Sequence, residues 1–343
     1  MQNPIASDKP VISVCIANYN GIDIIGPCIE SVLNQTTEYQ YEILIHDDAS
    51  TDNSVEHIQR EFPQVKLLVS SENVGYCKSN NKMAEHAKGD YLLFLNNDAK
   101  LFPDALQSLF DYSQQSDKCS ILGLPQYDME TGKLLDRGNL FDAFLNPVPN
   151  LNAQRTNVGL IIGACLWIPQ SMWEEIGGFP EWFHTLTEDL YLCLVARIYG
   201  YDVKALPTSG FKHWVGKSLG GGKVKQGRLQ TTYKRRRLSE RNKTYAMILC
   251  YPTLLLMTLL PIHLILFAIE GILLSVIKRD WNIWSEIYSY TFECLWKEKK
   301  RIIKQRYEIQ NKRKMNYKQF FSIFVWYPYK LKMLLSHGLP HLK

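Results

Sequence analysis

The sequence predicts an α/β protein: an open, mostly parallel sheet flanked by helices, continued by a C-terminal helical region. Three observations lead there. Short apolar, β-rich runs alternate with helical patterns four times between residues 11 and 100, which is the spacing of successive β–α units. The 343 residues are 46% hydrophobic and 21% charged. That composition excludes disorder, collagen and a small disulfide scaffold, and the length suggests about two domains. Charge is also split. Residues 1–210 carry 13 Lys/Arg against 27 Asp/Glu, whereas residues 211–343 carry 26 against 7. The chain therefore divides into residues 1–230 and a basic, apolar part at 231–343, and the second part calls for an anionic partner.

The elements follow in order. VISVCIA (11–17) reads as a buried strand stopped by the turn signal Asn18-Tyr19-Asn20-Gly21. Ile25, Cys28, Ile29, Val32 and Leu33 then recur at helical spacing. EILI (42–45) is a second strand, closed by the polar turn 47–52, where Asp52 or Ser54 can cap a helix running to Glu61. Residues 65–70 make a third strand and 76–87 a helix. YLLFL (91–95) is a fourth strand and ends in Asn96-Asn97-Asp98. In such sheets ligands bind beyond the carboxyl ends of the strands. Polar clusters at 18–20, 47–52 and 96–98 occupy three of those ends. Residues 121–210 are mixed, with apolar segments at 158–168 and 190–200.

Eight cysteines are scattered without a C-x-x-C pair and mostly inside apolar runs, as buried thiols in a reducing compartment would be. The polar N-terminus and the short apolar run behind it do not form a signal peptide. Between Thr244 and Ile269 the one potentially charged residue is His263, and Glu270 precedes a further apolar run to Ile277. Length permits a membrane span. Pro252 and Pro261, however, divide the stretch into short segments. Basic residues flank both ends, with 15 Lys/Arg against 5 Asp/Glu over 278–343, which places both on the cytoplasmic side. A re-entrant hairpin or interfacial helices meet these constraints, giving peripheral, monotopic or re-entrant attachment to the cytoplasmic face of the cell membrane. A buried helical pair in a soluble domain is the alternative.

VISVCIANYNG (11–21), EILIHDDASTDNS (42–54), ENVGYCKSNN (72–81) and GDYLLFLNND (89–98) together resemble the inverting family 2 glycosyltransferases, which have a GT-A fold. EIGGFPEWFHTLTEDLYLC (175–193) and FKHWVGKS (211–218) resemble the acceptor-side motifs of that family, and the likeness covers residues 10–220. The Leu-Asn-x-Asp form and the apolar, basic tail look most like bacterial surface-polysaccharide enzymes, including rhamnosyltransferase-like members. The resemblance implies a GT-A catalytic domain at 1–230 and a helical membrane-associating region at 231–343. It implies sugar transfer from a UDP- or dTDP-sugar to a saccharide or lipid-linked saccharide acceptor at a membrane surface. A non-catalytic nucleotide-sugar-binding partner in a polysaccharide-assembly complex is the alternative. Nucleic acid is not expected, because the basic tail carries no recognised module.

Each site residue has a plain reading beside the one the resemblance implies. Asp47 would accept a hydrogen bond from the imide N–H of a uracil or thymine, with Asp48 beside it in the substrate site. An Asp-rich turn with a helix cap is the plain alternative. Asn18 and Asn20 would line the nucleotide pocket, or else form the turn. Asn73, Gly75 and Asn81 would supply backbone approach and hydrogen bonds, or else a turn and cap. Asn96-Asn97-Asp98 stands at the Asp-x-Asp position. There Asp98 would offer an anionic oxygen to Mg²⁺ or Mn²⁺, Asn96 an amide oxygen or a water, and Asn97 a contact to substrate. His213 would be a second metal ligand, or ordinary packing beside Trp214. Asp189, with Glu188 before it in the substrate site, is the implied base for the acceptor hydroxyl. One carboxylate suffices, unlike the pair in glycoside hydrolases. An acidic first turn of a helix at 188–199 is the alternative. Tyr191 stands where many relatives carry Asp. LGGGKVKQG (219–227), with Lys217, Lys223 and Lys225, is either a phosphate-covering loop or a linker, and it is no P-loop.

Overall fold

The computed structural model describes residues 9–115, 118–216, 223–225 and 228–342. Lys217 and the side chains of Lys223 and Lys225 lie outside the described residues. The four expected strands form as β1 (Ile12–Asn18), β2 (Tyr41–Asp47), β3 (Lys66–Val69) and β4 (Tyr91–Asn96). They alternate with α1 (Ile22–Leu33), α2 (Ser54–Glu61) and α3 (Tyr76–His86). β1 is an almost unbroken run of buried residues because helices cover both faces of the sheet. Asp52 joins two helix starts: its carboxylate accepts from the backbone N–H of Ser54 and of Ile22, each at 3.0 Å.

Next come β5 (Ala99–Leu101), α4 (Ala105–Gln115), β6 (Ser120–Gly123), β7 (Gln126–Asp128), β8 (Leu134–Asp136), β9 (Asn139–Phe141) and β10 (Pro147–Pro149). β11 (Cys165–Pro169), α5 (Gln170–Ile176), α6 (Glu188–Ile198), β12 (Asp202–Ala205) and β13 (Phe211–His213) complete this part. The central sheet has the order β12-β6-β11-β4-β1-β2-β3. Its neighbours are parallel except at β11, which runs antiparallel to β4 and β6. The chain moves outward from β1 to β3 and then returns to β4 on the other side of β1. That switch opens a crevice at the carboxyl ends of β1 and β4. Register aligns the polar ends: Asn18 lies opposite Asp47, and Ala17 opposite Asn96. A smaller sheet, β5-β13-β7-β8, sets His213 opposite Ala99 and so beside Asp98.

The C-terminal part comprises β14 (Lys223–Lys225), β15 (Arg228–Thr231), α7 (Tyr233–Cys250), α8 (Thr253–Lys278) and a π-helical turn at Trp284–Ser289. α9 (Tyr290–Lys297), α10 (Lys299–Asn311), α11 (Tyr317–Phe321), α12 (Tyr329–His337) and β16 (His341–Leu342) follow. Residues on both sides of position 230 share one core: Phe94, Leu166 and Leu192 lie in the same apolar cluster as Tyr245, Met247 and Phe320. Backbone bonds also cross, from Phe141 N–H to Ile323 O (3.0 Å) and from Val325 N–H to Phe141 O (2.7 Å).

One expectation needs correction. Pro261 does not divide the apolar stretch, because α8 runs unbroken for 26 residues with Pro252 at its cap. Part of the basic run 234–237 is paired within the fold. Arg236 is buried and donates to Glu270 (2.6 Å) and Tyr288 (3.0 Å), and Arg237 lies 4.9 Å over the Tyr290 ring. Further along, Lys243 and Lys330 meet Glu240 at 2.8 and 2.9 Å, and Lys330 also meets Glu270 at 2.6 Å. These charges pair internally because α7, α8 and α12 bury their stems together. α8 packs His263, Phe267, Leu274 and Ser275 inward, while Leu254, Met257, Ile265, Leu266, Leu273 and Ile277 are exposed.

Candidate active site

The turn after β2 is a hydrogen-bonded unit. The Asp47 carboxylate is wholly covered and accepts from Asn18 Nδ2 (2.9 Å), Ser50 N–H (2.8 Å) and Ser50 Oγ (2.7 Å). Asp48, 5% exposed, accepts from the backbone N–H of Val74 (2.7 Å) and of Gly75 (2.9 Å). Asn73 Nδ2 donates to Asp48 O at 3.3 Å. Asn20 fastens the turns after β1 and β2 together: its N–H donates to Ser50 Oγ and its side-chain oxygen accepts from Thr51 N–H. Asn20 and Ala49 are left-handed at φ 49° and 62°, so local strain gathers at these strand ends. Asn97 Nδ2 donates to Asn18 Oδ1 at 2.8 Å, which connects the β1 and β4 ends. Asn81 stands apart from this set. It grips the backbone of Phe179 through both amide atoms, at 2.9 and 3.0 Å.

At the end of β4, Asp98 is 3% exposed with Oδ1 3.2 Å from His213 Nε2. Asn96 Nδ2 lies 3.4 Å from the same ring nitrogen. The Gln126 amide sits 2.9 Å from His213 Nδ1; with its oxygen turned to that atom, Nδ1 keeps the ring proton and the Nε2 lone pair faces Asp98 and a cation. Among the described residues no three His, Cys, Asp or Glu side chains converge as a metal cage. The donor set is one carboxylate, one imidazole and one amide. It suits a hard cation that takes its remaining oxygens from a diphosphate, as Mg²⁺ commonly does.

Across the crevice, α6 begins with Glu188 and Asp189. Asp189 Oδ2 accepts from Gly163 N–H at 2.9 Å, and Tyr76 OH donates to Gly163 O at 3.0 Å. Gly163 is therefore the bridge between them, and a Cβ there would stand 3.1 Å from the Tyr76 hydroxyl. Burial, reinforced by Asp189, pushes the Glu188 carboxyl up to about 8. Burial also raises Asp189, against the backbone N–H groups of Gly163 and Leu190, which favour its charged form. The Tyr76 hydroxyl is raised by burial, then by Glu188, Asp189 and, further off, Asp98, which places the two ends of the site within electrostatic reach. Arg235 from α7 is the counter-charge: burial lowers its pKa while Glu188 and Asp189 draw it back up.

Sequence reading does not single out Tyr76, Gly163, Gln126 or Arg235. Tyr76 directly follows Gly75 in a motif already noted, and Gly163 interrupts an apolar run, a sign of close backbone approach. Arg235 is hidden in a run of four basic residues, and Gln126 carries no signal.

Residues 13–177 match the family model described as glycosyl transferase family 2. This part of the chain is similar to the family 2 glycosyltransferases. A chondroitin synthase of Pasteurella multocida (strain Pm70) is 37% identical over 101 residues, 29% of this chain and 10% of that protein. A poly(ribitol-phosphate) beta-glucosyltransferase of Bacillus spizizenii is 32% identical over 117 residues, 33% of this chain and 18% of that one. The chain thus spans less than a fifth of the length of either relative. A crystal structure of GalNAc-T7 with UDP, GalNAc and Mn²⁺ superposes with a TM-score of 0.54 at 17% identity. It covers 71% of this chain and 48% of that one. Residues 13–177 and the strands that flank them have the GT-A architecture, and the C-terminal part holds one long apolar helix.

Proposed function

We propose that the chain is a metal-dependent, inverting glycosyltransferase moving a hexosyl-type sugar from a UDP- or dTDP-sugar to a lipid-linked saccharide in cell-surface polysaccharide assembly. We place it with the rhamnosyltransferase-like members of the family. The observation that supports this reading is the link from the β4 end to the acidic pair: Asn96 N–H donates to Ala164 O, Gly163 N–H donates to Asp189, and Tyr76 feels Glu188, Asp189 and Asp98 alike. One relative is named a chondroitin synthase and the other a poly(ribitol-phosphate) beta-glucosyltransferase, and the solved neighbour contains UDP, GalNAc and Mn²⁺.

A Mg²⁺ or Mn²⁺ ion held by Asp98, His213 and Asn96 would neutralise the charge developing on the departing diphosphate. Asp47 takes the pyrimidine imide N–H, with Asp48 fastening the 74–75 backbone beside it, while Asn18, Asn20, Asn73, Gly75 and Asn97 shape the nucleotide pocket. Asn81 acts on substrate through the 179–181 backbone it holds. Asp189 removes the acceptor hydroxyl proton as that oxygen bonds to the anomeric carbon and the bond to the diphosphate breaks. Burial raises both carboxyls and each charge disfavours the other, while the Gly163 and Leu190 N–H groups favour the charge on Asp189.

We assign residues 1–230 to catalysis and 231–343 to membrane attachment, with the exposed face of α8 lying in the cytoplasmic bilayer surface. Exposed Trp281, Trp296 and Trp326 suit the interfacial zone. A crossing would carry Arg236, Glu270 and Lys330, packed beside α8, into hydrocarbon. The second reading, a non-catalytic nucleotide-sugar-binding partner, is favoured by Asn96 standing where an acid would complete the cation site. A screen of UDP-, dTDP- and GDP-sugars for transfer and donor hydrolysis, with Mn²⁺ and with EDTA, tests both. Turnover lost in EDTA supports the enzyme; tight binding measured by calorimetry without turnover replaces it with the partner.

A further inference from the structure

The segment leading into α6 is held in an unusual backbone state. His184, Leu186 and Thr187 have φ of 67°, 67° and 72°, so three of four consecutive non-glycine residues are left-handed. Side chains with a Cβ rarely adopt this state unless their surroundings impose it. The segment ends at Thr187, directly before Glu188 and Asp189, so its path decides where both carboxylates point.

A single side chain from α7 imposes that path. Asn242 is fully buried, and its Nδ2 donates to the carbonyl oxygens of Phe183 (3.1 Å), Thr185 (2.9 Å) and Leu186 (2.7 Å). The amide cannot turn over, because Arg241 Nε donates to Asn242 Oδ1 at 2.9 Å while Arg241 Nη2 donates to Phe183 O at 3.0 Å. From the opposite side, Cys77 N–H donates to His184 O at 3.0 Å. Gly75, at φ +90°, leaves room for the His184 ring, which a Cβ would meet at 2.2 Å. The carbonyls Asn242 serves turn inward, where an unpaired polar group is costly.

We propose that Asn242, oriented by Arg241, is a positioning residue for the Glu188–Asp189 pair: it fixes residues 183–187, with positive φ at His184, Leu186 and Thr187, and so aims the first turn of α6 at Gly163. The inference rests on the reading of that pair as the catalytic carboxylates. It links the donor-side helix α3, the base and the helix on which α8 packs through one hydrogen-bonded loop.

The test uses the full chain with lipid vesicles, comparing Asn242→Ser and the milder Arg241→Gln with wild type. Amide exchange over 184–190 is expected to accelerate about tenfold or more while β1 and β4 amides hold. kcat is expected to fall roughly 30- to 100-fold, with the donor KM within about threefold, because binding groups stay and only orientation is lost. Leu186→Gly added to Asn242→Ser should restore part of kcat, since glycine takes the left-handed state unaided. Unchanged exchange over 184–190 in both variants overturns the inference whatever the activity. Faster exchange with wild-type kcat overturns it too. If wild type transfers no sugar, the transferase reading fails by itself, and exchange alone then decides whether Asn242 holds the loop.

Discussion

Asp98 and Asp189 both lie within electrostatic reach of the Tyr76 hydroxyl, and the proposed function gives each carboxylate one task. Asp98→Ala removes the anionic cation ligand, and Asp189→Asn keeps the shape but not the basicity. Each is expected to lower transfer by at least about a hundredfold, with an unchanged melting temperature, in a coupled nucleotide-release assay. Wild-type activity in Asp189→Asn would end its assignment as base. Glu188 gives a separable signal. Its carboxyl is raised to about 8, so between the ordinary Glu value and 8 the folded protein binds a proton the unfolded chain has released. Stability therefore falls as pH rises through that window. Glu188→Gln cannot ionise, and it is expected to melt roughly 3–6 °C above wild type at pH 8.5, with the gap closing by pH 5. A pH-independent gap would mean that the carboxyl is not buried as described.

At the scale of elements, the helices after residue 231 are joined by charge as much as by apolar packing. Glu240 answers Lys243 and Lys330, and Arg236 adds to their pull, holding its carboxyl well below the usual range despite burial. Glu240→Ala leaves those cations facing one another and is expected to destabilise the fold by about 3–5 kcal/mol in urea titration. The outer face of α8 is the contrary case, because none of the described residues covers it. Changing Ile265, Leu266 and Leu273 together to Asp is expected to cut sedimentation with anionic vesicles about tenfold or more while leaving the melting temperature unchanged. Retained vesicle binding would move the membrane contact off α8.

For the whole molecule, the shared core decides what can be separated. Tyr245, Met247 and Phe320 fill space beside Leu192 and Phe94, and Asn242 and Arg241 hold the loop before the acidic pair. A chain ending at residue 230 is therefore expected to expose that apolar layer and aggregate instead of folding as a catalytic unit. Size-exclusion chromatography and circular dichroism check this, and a monodisperse, cooperatively melting fragment would contradict it.

The sequence by itself determined the β–α order from β1 to β4, the polar clusters at the ends of β1, β2 and β4, and the acidic start of α6. These are local: strand periodicity, turn chemistry and helix spacing are written within a few residues. Which polar groups already have partners is not local. Asp47 and Asp48 look equally free in the sequence, yet packing covers both and gives Asp47 Asn18 and Ser50, and Asp48 the Val74 and Gly75 N–H groups. Pro261 looks like a break, yet the helix continues through it. The net charge of residues 211–343 is equally legible, but tertiary structure alone decided its use. Arg235 faces two carboxylates, Arg236 pairs with Glu270, and Lys243 and Lys330 share Glu240. Burial makes an unpaired charge too costly, so the fold consumes cations that the sequence shows only as a surplus.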